Sequence, residues 1–286
     1  MGLDPRLEGE GYIPKYLIDQ YDDPNKIILE FNKTLIDNTH ELIPVIKPQI
    51  AFYEKYDALN GLKETIKYAH KHDLLVILDS KRNDIGSTSE AYAYSTFQVY
   101  NADACTLNAY FGIDGIRPYL ENYKEKGMFI LVKTSNPSSR DFQNLFSIRL
   151  DEVSDVEYKI KKEYVELERN YIHMAKLVER WTEELPLFSG YSNLGIVVGA
   201  TFPDELKIIR QITPASYMLI PGYGAQGGSA SEIKYGFDKD GLGAIVNSSR
   251  NINYAYNQSK TFPPEKFGEA ARKEIKTMNL QINKIR

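Results

Sequence analysis

The sequence predicts one (β/α)8 barrel, a single domain over 1–286, with an inserted loop and a long helix between strands 5 and 6. Three observations predict it. First, short apolar runs alternate with amphipathic stretches of helical length, giving seven clear strands after a vestige at Leu3. Second, the charges Asp79, Lys81 and Asp84 follow directly on one of those runs, Leu74–Leu78. The C-terminal mouth of a barrel strand is where such folds keep their chemistry. Third, a glycine-rich stretch follows the seventh strand and Arg250 follows the eighth. Barrels often hold phosphate between those two loops.

Composition excludes several classes. A chain of 286 residues suits one large barrel or two small domains. At 42% hydrophobic and 26% charged it has the make-up of an ordinary globular protein. A net charge of −4 argues against a general nucleic-acid binder, which needs a basic face. An anionic substrate must therefore be met by local cations. The single Cys105 excludes an intrachain disulfide and a cysteine-based zinc site. It lies in the apolar run Ala102–Leu107 and reads as packing. With no signal peptide and no apolar run of about 18 residues, a cytosolic protein without membrane contact is expected.

The elements follow in order. Leu3-Asp4-Pro5 is the end of a first strand with almost nothing before it, or a plain turn. Pro24–His40 is helical, with Ile27, Ile28, Phe31, Leu35 and Ile36 on one face. Leu42–Tyr53 reads as a buried strand with Lys47 in its middle. A lysine there either snorkels to the surface or meets a carboxylate, and Asp4 and Asp79 are available. Leu59–His72 is the next helix, and Leu74–Leu78 the third strand.

Beyond that strand, strand alternation points Asp79 and Lys81 the same way. Ile85-Gly86 turns the chain, and Ser87, Thr88 or Ser89 can cap the next helix. Taken alone, the Asp/Lys/Asp charges are equally a solvated turn. Ser89–Tyr100 is helical, Ala104–Asn108 a strand, Ile113–Lys124 a helix and Met128–Thr134 a buried strand. Ser135-Asn136-Pro137 follows as a turn. Ser138–Asp155 is polar, irregular and long for a connection, a candidate lid or outer insertion. Val156–Glu184 reads as a long surface helix. Leu194–Val198, Tyr217–Pro221 and the AIVNS stretch ending at Ser248 complete the strands. Helices fill Pro203–Gln211 and Pro264 to about Ile282.

Asp-x-Lys-x-x-Asp-Ile-x-x-Thr, at Asp79 to Thr88, resembles the active-site motif of orotidine 5'-monophosphate decarboxylases. Pro221-Gly222-Tyr223-Gly224-Ala225-Gln226-Gly227-Gly228 resembles the phosphate loop of the same family. Leu3-Asp4-Pro5, the Lys47 strand and Thr134-Ser135-Asn136-Pro137 extend the resemblance over most of the chain, toward the family's longer branch. The resemblance implies that Asp4 contacts the ribose and that Ser135 hydrogen-bonds the pyrimidine. It implies that Gln226 spans phosphate and pyrimidine, and that Arg250 holds the phosphate. Where the family often has glycine, Ser249 precedes the arginine, and its backbone N–H can still donate.

The implied activity is decarboxylation of orotidine 5'-monophosphate to uridine 5'-monophosphate, with no metal and no organic cofactor. Losing CO2 leaves a carbanion at C6, and Lys81 is the expected ammonium that stabilises and protonates it. Asp79 and Asp84 favour its charged form, and Lys47 completes an alternating Lys/Asp/Lys/Asp array. The resemblance further implies a homodimer with shared sites. Asp79 and Lys81 serve their own subunit, while Asp84, Ile85 and Thr88 reach into the neighbour's. The rival readings are a metal-dependent sugar-phosphate barrel of the 3-keto-gulonate 6-phosphate decarboxylase type, a non-catalytic nucleotide-binding barrel, and a purely structural barrel.

Overall fold

The computed structural model describes residues 1–9, 12–147, 167–224 and 228–286. Eight parallel strands run round a barrel in chain order: β1 Gly2–Leu3, β2 Val45–Pro48, β3 Leu75–Arg82, β4 Ala104–Leu107, β5 Gly127–Lys133, β6 Tyr191–Val198, β7 Ser216–Pro221 and β8 Ala244–Asn247. Helices between them cover the outside, as the predicted (β/α)8 barrel requires. Inside, Val45, Ile77, Ala104, Phe129, Val197 and Leu219 form one apolar cluster, a side chain from each of β2 to β7. A larger cluster lies between the strands and the helices. Among the described residues, no helix is long and apolar enough to cross a membrane.

The vestige at Leu3 is a strand of only two residues, paired with β2 through Gly2 opposite Lys47 and Leu3 opposite Pro48. On its other side, the Gly2 N–H donates to Ser248 O at 2.9 Å. A side chain extends this short seam. Asn253, fully buried just beyond β8, donates from Nδ2 to Gly2 O at 2.8 Å and accepts the Asp4 N–H at 3.2 Å. Asn253 thus satisfies backbone groups that a longer strand would pair by itself.

The Pro24–Thr39 helix forms as the sequence predicts. Asp23 caps it, accepting the Asn25 N–H at 2.9 Å, and Pro24 opens it. Its predicted apolar face is buried throughout, each such side chain contributing roughly 1.5–3 kcal/mol. Phe31 stacks on Phe267 of the last helix, Phe267–Asn283, with ring centroids 5.0 Å apart.

Four expectations need correction. The run Leu42–Tyr53 is not one strand: Val45–Pro48 is the strand, and Ile50–Lys55 is a helix. A largely apolar run interrupted only by Lys47 and Gln49 shows no clear period to separate the two. Pro48, which lacks an N–H, is the last residue of the strand. Ser87, Thr88 and Ser89 do not cap the next helix. That helix is Gly86–Tyr94 with Ile85 as its N-cap residue, and the Ser89 hydroxyl donates instead to Gly115 O at 2.8 Å. The helix predicted over Val156–Glu184 begins only at Asn170 and runs to Glu183. Glu168–Arg169 pairs with Phe146–Ser147 in a two-stranded antiparallel ribbon, so the extended chain there is held by pairing. The remainder of that prediction, and of the insertion beyond 147, lies outside the described residues. The fourth correction concerns Lys81 and belongs to the site.

Candidate active site

The mouth of the barrel is built from the ends of β1, β2, β3, β5, β7 and β8. A cavity of about 170 Å3 opens there, and Asp4, Lys47, Asp79, Ser135, Ser249 and Arg250 all line it. Residues from six separate strand ends are thereby brought to one place.

Lys47 does not snorkel. It is 6% exposed, and its Nζ donates to Asp79 Oδ2 at 2.5 Å. The other carboxylate oxygen, Oδ1, accepts from Lys81 Nζ at 2.5 Å and from Thr106 Oγ1 at 2.9 Å. Burial would push the Asp79 carboxyl up; the Lys47 and Lys81 ammoniums overcome this and hold it well below the usual carboxylate range. Burial would likewise lower the Lys47 ammonium, but Asp79 and then Asp4 keep it raised and charged. The three side chains form an ionised Lys47–Asp79–Lys81 triad.

Lys81 reaches the triad differently from the expected strand alternation. Its φ is +48°, in the left-handed region, and the β3–β4 register shifts between Leu78 and Arg82. Such a conformation costs about 1–2 kcal/mol for a residue with a side chain. It persists because Thr106 of β4 holds it. The Thr106 hydroxyl oxygen accepts both the Ser80 and the Lys81 N–H at 3.0 Å while its own hydrogen goes to Asp79. The bulge re-aims Lys81 beside Asp79. Its side chain remains 43% exposed, against Asp79, which lines the cavity.

Thr106 is therefore a site residue that sequence reasoning missed. The available signal was a hydroxyl in a strand of otherwise apolar residues, since a buried hydroxyl needs partners.

Asp84 does not join the triad of its own chain. Its Oδ1 accepts the Ile85 N–H at 2.8 Å, and the chain turns away at Gly86, φ +55°. Ile85 and Thr88 are exposed on the outer side of that turn.

Asp4 presents a different feature. Its Oδ1 is buried with no hydrogen-bond partner among the described residues. An acceptor left so costs about 1–3 kcal/mol until a donor arrives. Because Asp4 lines the cavity, a ligand hydroxyl is a suitable donor.

After β7, Gly222 and Gly224 have φ of +96° and +75°, and the Gly224 N–H donates to Gly228 O at 2.9 Å. The glycines let the chain fold back on itself there. Gln226, beyond Gly224, lies outside the described residues. Opposite, Ser249 O accepts the Ile252 and Asn253 N–H groups at 3.1 and 2.8 Å. Arg250 is exposed, and its guanidinium makes no ion pair among the described residues. Asp79 on β3 and Arg250 just past β8, the latter without an ion pair among the described residues, thus line one cavity.

The sequence pattern of the "Orotidine 5'-phosphate decarboxylase / HUMPS family" matches residues 22–262. The chain belongs to that family. Among its relatives, orotidine 5'-phosphate decarboxylase of Petrotoga mobilis is 40% identical over 291 residues, covering 100% of this chain and 93% of the relative. The enzyme of the same name from Halobacterium salinarum is 37% identical over 287 residues, with coverage of 100% and 93%. Among solved structures, OMP decarboxylase of Leishmania donovani superposes with a TM-score of 0.70 at 29% identity, covering 98% of this chain and 92% of that one.

Proposed function

We propose that this chain decarboxylates orotidine 5'-monophosphate to uridine 5'-monophosphate, the last step of pyrimidine nucleotide synthesis, as a single barrel domain in the cytosol. The observation that carries the reading is the ionised Lys47–Asp79–Lys81 triad at the cavity mouth. In the reaction the C6–carboxylate bond breaks, CO2 leaves, and its electron pair stays on C6. The Lys81 ammonium then gives its proton to C6, and solvent restores it. Asp79, itself held by Lys47, fixes that ammonium in place through the 2.5 Å contact between them. A reaction with no adjacent electron sink needs such a fixed cation where negative charge develops.

The remaining groups bind the nucleotide. Arg250 takes the phosphate with the Ser249 backbone and the Gln226 loop, Asp4 takes a ribose hydroxyl, and Ser135 takes the pyrimidine. The phosphate, far from the reacting carbon, supplies binding energy that is used at C6. The family also contains sugar-phosphate enzymes, so the test must separate them. The protein should consume orotidine 5'-monophosphate, read as an absorbance change, equally well with and without a chelator. Loss of turnover in chelator would favour the metal-dependent rival. Binding of uridine 5'-monophosphate without turnover would leave a nucleotide-binding barrel.

The proposal includes a homodimer in which Asp84, Ile85 and Thr88 complete the partner's site. Its support is that Asp84 lies outside the triad of its own chain while Ile85 stands 52% exposed beside it. Lys81→Ala and Asp84→Ala proteins should each be nearly inactive. After subunit exchange, half of the dimers are mixed and each has one intact site, so roughly a quarter of wild-type activity should return. No recovery, with exchange confirmed, would place Asp84 in its own subunit's site.

A further inference from the structure

The turn that presents Ser135 to the cavity is gripped from outside the barrel. Gln143, in the segment after β5, accepts the Thr134 N–H on Oε1 at 2.9 Å and donates from Nε2 to Thr134 Oγ1 at 2.8 Å. The Thr134 hydroxyl in turn donates to Asn136 Oδ1 at 2.7 Å. One side-chain amide thus fixes the backbone and the hydroxyl of the residue before Ser135, and that hydroxyl ties down the residue after it.

Gln143 is itself held. Its N–H donates to Ser139 O at 2.8 Å, and its carbonyl accepts the Tyr171 N–H at 3.1 Å. Beneath it lies Lys133, fully buried at the end of β5. The Lys133 Nζ donates to Ser139 Oγ and Asn144 Oδ1, both at 2.9 Å, and sits 4.4 Å from the Phe202 ring centroid. Among the described residues no carboxylate pairs with it. A lysine buried without a counter-ion is destabilising unless its donors are used, and here they clamp the segment that carries Gln143. On the barrel side, a Cβ added at Gly199 would stand 2.9 Å from Ser135 Cβ and 3.0 Å from its N. The turn is wedged between β6 and the insertion.

We infer that Gln143 is a positioning residue for Ser135, and that the segment around it serves to set the hydroxyl that reads the base. The inference rests on the reading of Ser135 as the pyrimidine contact. It is tested with two inhibitors of the decarboxylation, uridine 5'-monophosphate and ribose 5-phosphate, which differ by the base. Gln143→Ala should weaken uridine 5'-monophosphate about five- to tenfold, the effect of one or two hydrogen bonds, and leave ribose 5-phosphate within twofold. In a Ser135→Ala background the same change should add less than twofold, because residues acting as one unit are not additive. Thr134→Val, which removes only the hydroxyl half of the grip, should show the same selectivity and serves if Gln143→Ala does not fold. Equal losses on both inhibitors, full additivity with Ser135→Ala, or unchanged affinity for uridine 5'-monophosphate would overturn the inference. A wild-type protein that binds neither inhibitor overturns the reading of the site as well, so the two failures are distinguishable.

Discussion

Replacing Thr106 by valine keeps the shape of the side chain and removes only its hydroxyl. Three hydrogen bonds go with it: one donated to Asp79 Oδ1 at 2.9 Å, and two accepted from Ser80 and Lys81 N–H at 3.0 Å. The first, to a charged acceptor, is worth about 1.5–3 kcal/mol. The other two pin the bulge that keeps Lys81 left-handed. Asp79 stays ionised in the variant, because both lysines remain. What is lost is aim. If nearly all of that energy is expressed in the transition state, kcat should fall about ten- to a hundredfold, at about 1.4 kcal/mol per factor of ten. The KM should change by less than about threefold, since Asp4 and Arg250 are untouched. Thr106→Ser restores the hydroxyl and should recover most of the kcat. The assay is steady-state decarboxylation, with thermal unfolding to confirm a folded variant. A folded Thr106→Val protein with wild-type kcat and KM would refute the idea that β4 holds the Asp79–Lys81 pair.

Other outcomes follow from the same geometry. Lys81→Ala should fold and lose nearly all turnover; full activity would sink the assignment of the proton donor. Arg250→Ala should raise KM on the order of a hundredfold, the effect of losing charge-assisted phosphate contacts, and unchanged kinetics would place the phosphate elsewhere. The Asp79 carboxyl is held below the usual range in the folded chain, so at low pH the unfolded chain binds the extra proton first. Stability is then full above the ordinary carboxylate range near pH ~4 and falls as pH drops through it. In Asp79→Asn that acid limb should be shallower, as read from urea midpoints against pH; an identical slope would deny the shift.

The barrel was legible because buried parallel strands and amphipathic helices write different periods into the chain. Lys47 was legible for the opposite reason: a charge inside an apolar run demands a partner, and Asp79 is that partner. The places that failed are those where local pattern is ambiguous or tertiary contacts decide. The start of the Ile50–Lys55 helix was read as strand because the largely apolar run before it carries no clear period. The left-handed Lys81 depends on Thr106, 25 residues away, which no spacing within 79–84 could reveal. Asn253, which clasps the short first strand at a separation of 251 residues, was invisible for the same reason. Gln143 lies in a stretch whose lack of periodicity suggested only a lid or an outer insertion, yet its amide makes two hydrogen bonds to the turn beside Ser135.

The charge balance of the site bears on the proposed dimer. In one chain two ammonium groups share the Asp79 carboxylate; buried Lys47 also feels Asp4, while Lys81 pairs with no second carboxylate among the described residues. Lys81 keeps an open side, with its side chain 43% exposed. A substrate carboxylate laid against an unbalanced ammonium would be stabilised in the ground state, which raises the barrier to losing it. A second carboxylate beside Lys81 alters this. It offsets the extra positive charge before the substrate arrives, so the ammonium's attraction is strongest for the carbanion that forms after CO2 departs. Asp84 cannot be that carboxylate in its own chain as it stands, because it is tied to the Ile85 N–H on a turn that leads outward. In the proposed dimer the partner's Asp84 fills the role. Substrate affinity and turnover should then respond differently to its loss: Asp84→Ala leaves the phosphate and ribose contacts in place and removes the balance at C6. The defect in the mixing experiment is therefore one of kcat, and the mixed dimer restores it at one site by pairing an intact Lys81 with an intact Asp84.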